Sequence, residues 1–448
     1  MFGEIKLKAL TDRALKHSTA ETTQVSILGW EAGLTRFANS YIHQNVAEEN
    51  INITVKCVTN RQIGEAGTNN PNNIEAIVEQ AQSISRISPP NTDFYGFPAT
   101  TKQIESSIET FIPATYEFSP LKRAEICHLI IRCAENLQSF GSFLTAALET
   151  VIANSNGLFA YNRSTSAIIN ATIIGKKGSG RAEMGARNAN RINYNKLAES
   201  AVKKAKLAQN PIKIKVGNYD VVLEELAVAE LLMFLSYFGF NGLRYQEGRS
   251  PFSGNLGQKM LGENITIWDD GLDTSGCPFP FDFEGIPKQK LVLVENGVVK
   301  SVVYDYTTAK KENRESTGHS SGSSLSGPIP LHLFMKGSHT SVEDLISSTK
   351  KGILVTRFWY TNIIDPMSLT ITGMTRDGTF LIEDGKITKP VMNLRFTQSI
   401  LEALSKVKAF STPILVASGE TYGAPFLFGS KVPALKIEDW NFTGISEH

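Results

Sequence analysis

The most apolar long stretch of the chain covers residues 226–240 (LAVAELLMFLSYFGF), interrupted only by Glu230, Ser236 and Tyr237. Its length and its Ala and Leu content predict a helix rather than a strand. At about 15 residues it is too short to cross a bilayer, and a helix that is apolar all round is normally buried. A polar, glycine-spaced stretch follows at 241–254 (NGLRYQEGRSPFSG). A buried helix opening into such a loop is a natural place for a site, yet this helix carries no metal ligand.

The remaining apolar positions follow shorter periods. Before the central run they predict a helix over 4–18, strands over 22–30, 34–43 and 50–60, and a helix over 72–87 entered at Asn70-Pro71. In the third strand Ile51, Ile53, Val55 and Cys57 alternate with Asn52, Thr54 and Lys56, the period of a half-buried strand. Residues 88–113, rich in Pro, Thr and Ser, read as a linker. A second round resembles the first. It has a helix from Ser119-Pro120 through 137, strands over 142–153, 158–163 and 166–174 with an Asn156-Gly157 turn, and a helix over 194–208. Both rounds contain Ala-Asn-Ser, at 38–40 and 153–155, which suggests an internal duplication. After a strand at 211–223 and the central helix, the pattern turns β-rich. Hairpins are expected at 290–304 around Asn296-Gly297 and at 379–391 around Asp384-Gly385. A closing amphipathic helix is expected over 394–407. The expectation is an α+β fold, with helices packed on largely antiparallel sheets. An N-terminal domain would span 1–210, and a β-rich C-terminal half with the central helix would span 211–448.

Charge narrows the partners. With 45 Lys+Arg against 44 Asp+Glu the net charge is +1, which gives no overall basic excess for nucleic acid or an anionic membrane. No apolar run is long enough to span a membrane. The first residues lack a continuous apolar segment, so no signal peptide is expected. The four cysteines, Cys57, Cys127, Cys133 and Cys277, show no CxxC spacing and read as reduced thiols of a cytoplasmic protein.

Candidate chemistry is sparse. None of the seven histidines pairs with another at i, i+4 or i, i+5, so zinc held by this chain alone is not expected. Residues 316–327 (STGHSSGSSLSG) crowd serines around His319. That composition is chiefly a mobile loop's, and a Ser/His hydrolase site is the weaker reading. Residues 178–185 (GSGRAEMG) lack the G-K-[ST] ending of a phosphate loop. Two polar stretches are better candidates for binding. One carries Arg244, Arg249 and Ser250, the other Trp359, Tyr360, Asp365, Thr375 and Arg376. Aromatics beside arginines suit peptide or carboxylate recognition, and they suit structural strand positions and ion pairs as well.

Several segments together resemble the TldD/PmbA family, named for modulation of DNA gyrase and for peptide-maturation proteolysis. They are 247–257 (EGRSPFSGNLG), 281–288 (FDFEGIPK), 293–300 (LVENGVVK), 316–318, 355–366, 370–383 and 432–444 (VPALKIEDWNFTG). The resemblance implies two kinds of subunit. One carries HExxxH and a downstream Cys that together hold zinc, with the Glu as general base. Counting back from Phe252-Ser253-Gly254, the motif falls on Met233, Phe234 and Phe238, and the Cys falls near Ser418-Gly419. All these positions are replaced, so the chain resembles the PmbA (TldE) kind that lacks the site.

The resemblance therefore implies a non-catalytic, peptide-binding partner subunit of a cytoplasmic zinc metalloprotease. Zinc would be expected only in a TldD-like partner. Arg244, Arg249, Ser250, His319, Trp359, Tyr360 and Arg376 are the candidate contacts to an extended peptide. The alternative is a homodimeric scaffold or peptide-binding protein without protease activity. Nothing in the residues supports contact with DNA or gyrase.

Overall fold

The computed structural model describes residues 1–99, 108–419 and 424–446. Part of the expected linker at 88–113 and the last histidine, His448, fall outside them.

The chain opens with α1 (Glu4–His17), followed by β1 (Thr22–Ala38), β2 (Tyr41–Thr59), β3 (Gln62–Thr68) and α2 (Ile74–Ile87). After the short α3 (Pro113–Tyr116) come α4 (Pro120–Cys133), β4 (Gln138–Asn154), β5 (Phe159–Ile174), β6 (Ser179–Ala186) and α5 (Tyr194–Leu207). Helix, three strands and helix thus occur twice. The strands form one antiparallel sheet in the order β3-β2-β1-β4-β5-β6, with β1 and β4 at the centre. The two rounds share a close contact. A Cβ on Gly64 of β3 would lie 2.0 Å from the Ala81 carbonyl of α2, and one on Gly180 of β6 would lie 2.3 Å from the Ala201 carbonyl of α5. Ala81 and Ala201 are each the eighth residue of their helix. Glycine at these two strand positions lets each helix lie directly on its strand.

Strand boundaries differ from expectation in both rounds. The expected strand 34–43 runs through a two-residue turn at Asn39-Ser40, with φ of 51° and 63°. Asn60-Arg61 turns likewise, with φ of 52° and 60°. Both are left-handed turns without glycine, a conformation that asparagine tolerates. The expected pair 158–163 and 166–174 is the single strand β5. The glycine-containing β3 (QIGEAGT) and β6 (SGRAEMGA) have no counterpart in the hydrophobic pattern.

One face of this sheet is covered by helices, through clusters around Ile27, Val55 and Val78 and around Phe143, Ile169 and Ala201. The other face packs on the second half of the chain: Ile152, Leu158 and Ala160 meet Phe279 and Phe281, while Leu144 and Ile168 meet Cys277, Ala417 and Leu427. β4 is buried on both faces, which is why its apolar residues run on without alternation. The four cysteines are free, and Cys57, Cys127 and Cys277 are buried.

The second half contains two sheets. The six-stranded one runs Val298–Val299, Leu291–Glu295, Ile267–Asp269, Leu333–Met335, Leu427–Val432, Ile414–Gly419. The nine-stranded one begins at the edge with Phe358–Asp365, then Thr370–Thr375, Leu394–Ser399 and Leu435–Ile445, and continues through Gly217–Leu223 and Lys351–Val355 to Thr379–Glu383 and Lys386–Pro390; Val407–Phe410 pairs with Leu435–Ile445. Pairing is antiparallel except between Gly217–Leu223 and Lys351–Val355 and between Leu333–Met335 and Leu427–Val432. The whole is α+β, with a strand-rich C-terminal half. Asn296-Gly297 and Asp384-Gly385 make the expected turns, all four residues at positive φ. The expected helix 394–407 is instead a strand, Leu394–Ser399, followed by a short helix, Ile400–Ser405. Leu394, Phe396 and Gln398 are buried in alternation, and the Ser399 hydroxyl caps the helix by accepting from Glu402 N at 3.3 Å.

The largest core surrounds α6 (Glu225–Phe234), whose Ala227, Val228, Leu231 and Leu232 are fully enclosed. Not all of the apolar run is buried: Met233 is 45% exposed and Tyr237 42%. They lie four residues apart, about one helical turn.

Candidate functional site

The apolar run does not end as a plain α-helix. It widens into a π-turn over Leu235–Gly239, in which Phe240 N donates to the Leu235 carbonyl at 2.8 Å. Gly239 makes room for the Phe252 ring, which a Cβ would approach to 2.9 Å. The Ser250 hydroxyl donates to the Gly239 carbonyl at 2.6 Å and accepts from Phe252 N at 3.1 Å. Asn241 then caps the short helix Gly242–Gln246, accepting from Arg244 N at 3.1 Å, and its amide donates to the Ser326 carbonyl at 2.7 Å. A π-turn holds an extra residue, which brings positions five apart toward one face. Met233 and Phe238 are such a pair.

The side chains on this face are apolar. Phe234 is 6% exposed, and Phe238 stacks on it with ring centroids 6.1 Å apart and planes at 17°. The Arg244 guanidinium lies 4.5 Å from the centre of the Phe238 ring. Burial lowers the pKa of this arginine and the neighbouring Arg249 lowers it further, against the pull of Glu247. One turn back, Glu230 is pushed up by burial, with Thr361 and Arg357 opposing the shift. Zinc takes thiolate sulfur, imidazole nitrogen or carboxylate oxygen. Two phenyl rings and a thioether at 233, 234 and 238 do not fit it. Among the described residues, no group of three or more His, Cys, Asp and Glu is placed to hold a metal ion. Gly419, at the expected cysteine position, ends the strand Ile414–Gly419.

Beside α6 runs the edge strand Phe358–Asp365, paired only on its Thr370–Thr375 side among the described residues. Its register shifts twice, and Tyr360 sits at φ 53°. Trp359 and Tyr360 stack at 5.7 Å, the Arg376 guanidinium lies 4.4 Å over the Trp359 ring, and Tyr360 is 74% exposed. An exposed aromatic pair on an unpaired edge can receive an extended chain through main-chain hydrogen bonds.

A second cluster is wholly buried. His319 Nε2 lies 2.9 Å from Asp269 Oδ1, and His332 N donates to Asp269 Oδ2 at 2.7 Å. Asp282 accepts from the backbone of Ser320, Glu284 and Ile286 at 2.8, 2.9 and 3.0 Å. Burial would raise Asp269, but His319, Lys288 and His332 hold it well below the usual carboxylate range. Burial lowers Lys288 and lowers His332 to about 3, and it raises Asp282 to about 6. Except for His319, sequence reasoning did not single out these residues as a group. Their signal was the Asp and Glu inside FDFEGIPK, close to serines whose backbone needs acceptors.

The seven candidate contacts do not form one site. Trp359, Tyr360 and Arg376 come together on the edge strand, and Arg244 sits at the π-turn. Arg249 is on the surface, paired with Glu247 at 2.9 Å. Ser250 is fully buried and committed to the backbone of the π-turn. His319 is 0% exposed, with its second nitrogen 2.9 Å from the Thr317 hydroxyl. Both Ser250 and His319 are buried and bonded within the fold. Among the described residues His319 bonds to Asp269 and Thr317 and to no serine hydroxyl, which is not the arrangement of a Ser/His pair. The serine-rich stretch is not simply a loose loop either. Residues 317–320 are buried and tied down, while 322–326 are exposed.

The site thus joins a buried helix that carries neither His nor Cys to an exposed sheet edge. Residues 216–444 match the PmbA/TldA metallopeptidase C-terminal domain, and residues 111–209 match the central domain of the same family. The chain belongs to the TldD/PmbA family. An uncharacterized protein of Methanocaldococcus jannaschii is 35% identical over 159 residues, 34% of this chain and 38% of that protein. A metalloprotease TldD homolog of Buchnera aphidicola is 26% identical over 325 residues, 67% of each chain. A metalloprotease PmbA homolog of Haemophilus influenzae is 24% identical over 240 residues, 53% of this chain and 50% of that one. The matches thus span between 38% and 67% of the length of these relatives. Among solved structures, TldE from Thermococcus kodakarensis superposes with a TM-score of 0.86 at 22% identity, covering 98% of this chain and all of that one. A protein from Thermotoga maritima described as a candidate modulator of a DNA gyrase gives 0.84 at 20% identity, with the same coverage. No helix among the described residues is long and apolar enough to cross a membrane.

Proposed function

We propose that this chain is a non-catalytic, peptide-binding partner subunit of a cytoplasmic TldD/PmbA-type zinc metalloprotease that processes or degrades peptides. The observation that carries the reading is the helix itself. The π-turn at Leu235–Gly239 brings positions five apart toward one face, as a two-histidine site on HExxxH needs, but the side chains there are Met233 and Phe238, with Phe234 at the place of the base. Zinc and the attacking water would come from a TldD-like chain. This subunit would contribute surface: the edge strand with Trp359 and Tyr360 to take an extended peptide, and Arg376 and Arg244 as cations held against aromatic faces.

The test is co-purification. The tagged chain, isolated from its native host, is expected to bring down an untagged HExxxH-bearing chain in equal amount, and the pair should cleave peptide. Recovery of a stable homodimer with no such chain would replace this reading by the scaffold alternative.

A further inference from the structure

We infer that Arg244 is the anchor for the C-terminal carboxylate of a peptide bound along the π-turn; the inference rests on the peptide-binding reading above. The Arg244 guanidinium lies over the Phe238 ring, 4.5 Å from its centre, and Phe238 stacks in turn on Phe234. Stacking occupies the face of a guanidinium and leaves its N–H edge free, and that edge matches a carboxylate in a two-point fork. Among the described residues no acceptor takes that edge. The hydrogen bonds of Arg244 are made by its backbone, N to Asn241 and the carbonyl from Arg249 N, and Glu247, the acid that draws on the guanidinium, is paired with Arg249.

A half-buried cation with no acid hydrogen-bonded to its guanidinium is a poor structural element, because it gives up water without gaining a full partner. It is a good receptor for one negative charge. The surroundings favour a single charge on an apolar chain: Phe238 lies beneath the guanidinium, and the exposed Met233 and Tyr237 continue along the helix. A chain terminus supplies one carboxylate and leaves its preceding side chains for those apolar positions.

The experiment uses the full chain and an N-terminally fluorescein-labelled hexapeptide of alternating Ala and Val, followed by fluorescence anisotropy. Three forms are compared: the free acid, the C-terminal amide, and an amide with Asp in its interior. The free acid is expected to bind about tenfold or more tighter than either amide. Arg244→Gln should bind the acid and the amide alike. Arg244→Lys, which keeps the charge but loses the fork, should retain only part of the preference. Equal binding of acid and amide by the wild type, or an undiminished preference in Arg244→Gln, would overturn the assignment to Arg244 while leaving peptide binding standing. An Asp-containing amide that binds as well as the acid would overturn the claim for the chain terminus. Failure of all three forms to bind would remove both this inference and the peptide-binding reading.

Discussion

The Ser250 hydroxyl donates to the Gly239 carbonyl at 2.6 Å across the end of the π-turn, and both residues are buried. The helix ends at this turn, so the Gly239 carbonyl has no amide one turn further on to pair with, and Ser250 satisfies it. Ser250→Ala should destabilise the protein by about 1–3 kcal/mol, the cost of leaving a buried carbonyl unpaired. Urea unfolding checks this. A midpoint unchanged from wild type would show that the turn does not depend on Ser250.

The buried polar cluster predicts a pH dependence. His332 is held neutral, pushed down to about 3 by burial and then by Lys288. In the unfolded chain an imidazole titrates near about 6.5. Between those values the unfolded state binds more protons, so this contribution to stability is present above about pH 6.5 and is lost as pH falls. Asp282 acts in the opposite sense. Burial raises it to about 6, so its contribution is present at low pH and is lost as pH rises through that value. His332→Gln leaves Asp282 in place, so the difference between the two proteins isolates the imidazole. Between about pH 6 and 4 the stability of the variant should fall less steeply than that of wild type, by up to about 1.4 kcal/mol per pH unit. Parallel curves would contradict this.

Gly64 and Gly180 predict equivalent defects in the two rounds of the N-terminal sheet. A methyl group at either position would lie within 2.3 Å of a helix carbonyl, so the strand and helix must separate. Gly64→Ala and Gly180→Ala should each destabilise by about 1–3 kcal/mol, the range for overpacking a close contact. Thermal unfolding of the two variants measures it. A large effect at one site with none at the other would show that the rounds are alike in outline only.

How much of this was legible in the sequence depended on whether the signal was local. The central helix was legible, because a stretch of 15 residues with only three polar interruptions leaves few alternatives. Its π-turn was not, because it depends on Phe252 packing on Gly239 and on a hydroxyl 11 residues away. β3 and β6 were missed because glycine, read along the chain, suggests a turn. Here it serves a helix crossing that only the folded sheet creates. Leu394–Ser399 was read as helix because Leu394, Leu401 and Leu404 fit that period, while Leu394, Phe396 and Gln398 obey the strand period that prevails. Trp359 and Tyr360 were found because adjacent large aromatics are conspicuous wherever they lie. Ser250 and His319 were grouped with them by residue type, but the fold uses both to satisfy its own polar groups.

The most direct test of the account is metal analysis of the purified chain combined with a peptidase assay of the same sample. With Met233, Phe234 and Phe238 on the helix, the account predicts no stoichiometric zinc and no peptide cleavage by the chain alone, with cleavage appearing only when an HExxxH-bearing partner is added. About one tightly held zinc per chain, together with chelator-sensitive cleavage in the absence of any partner, would contradict it.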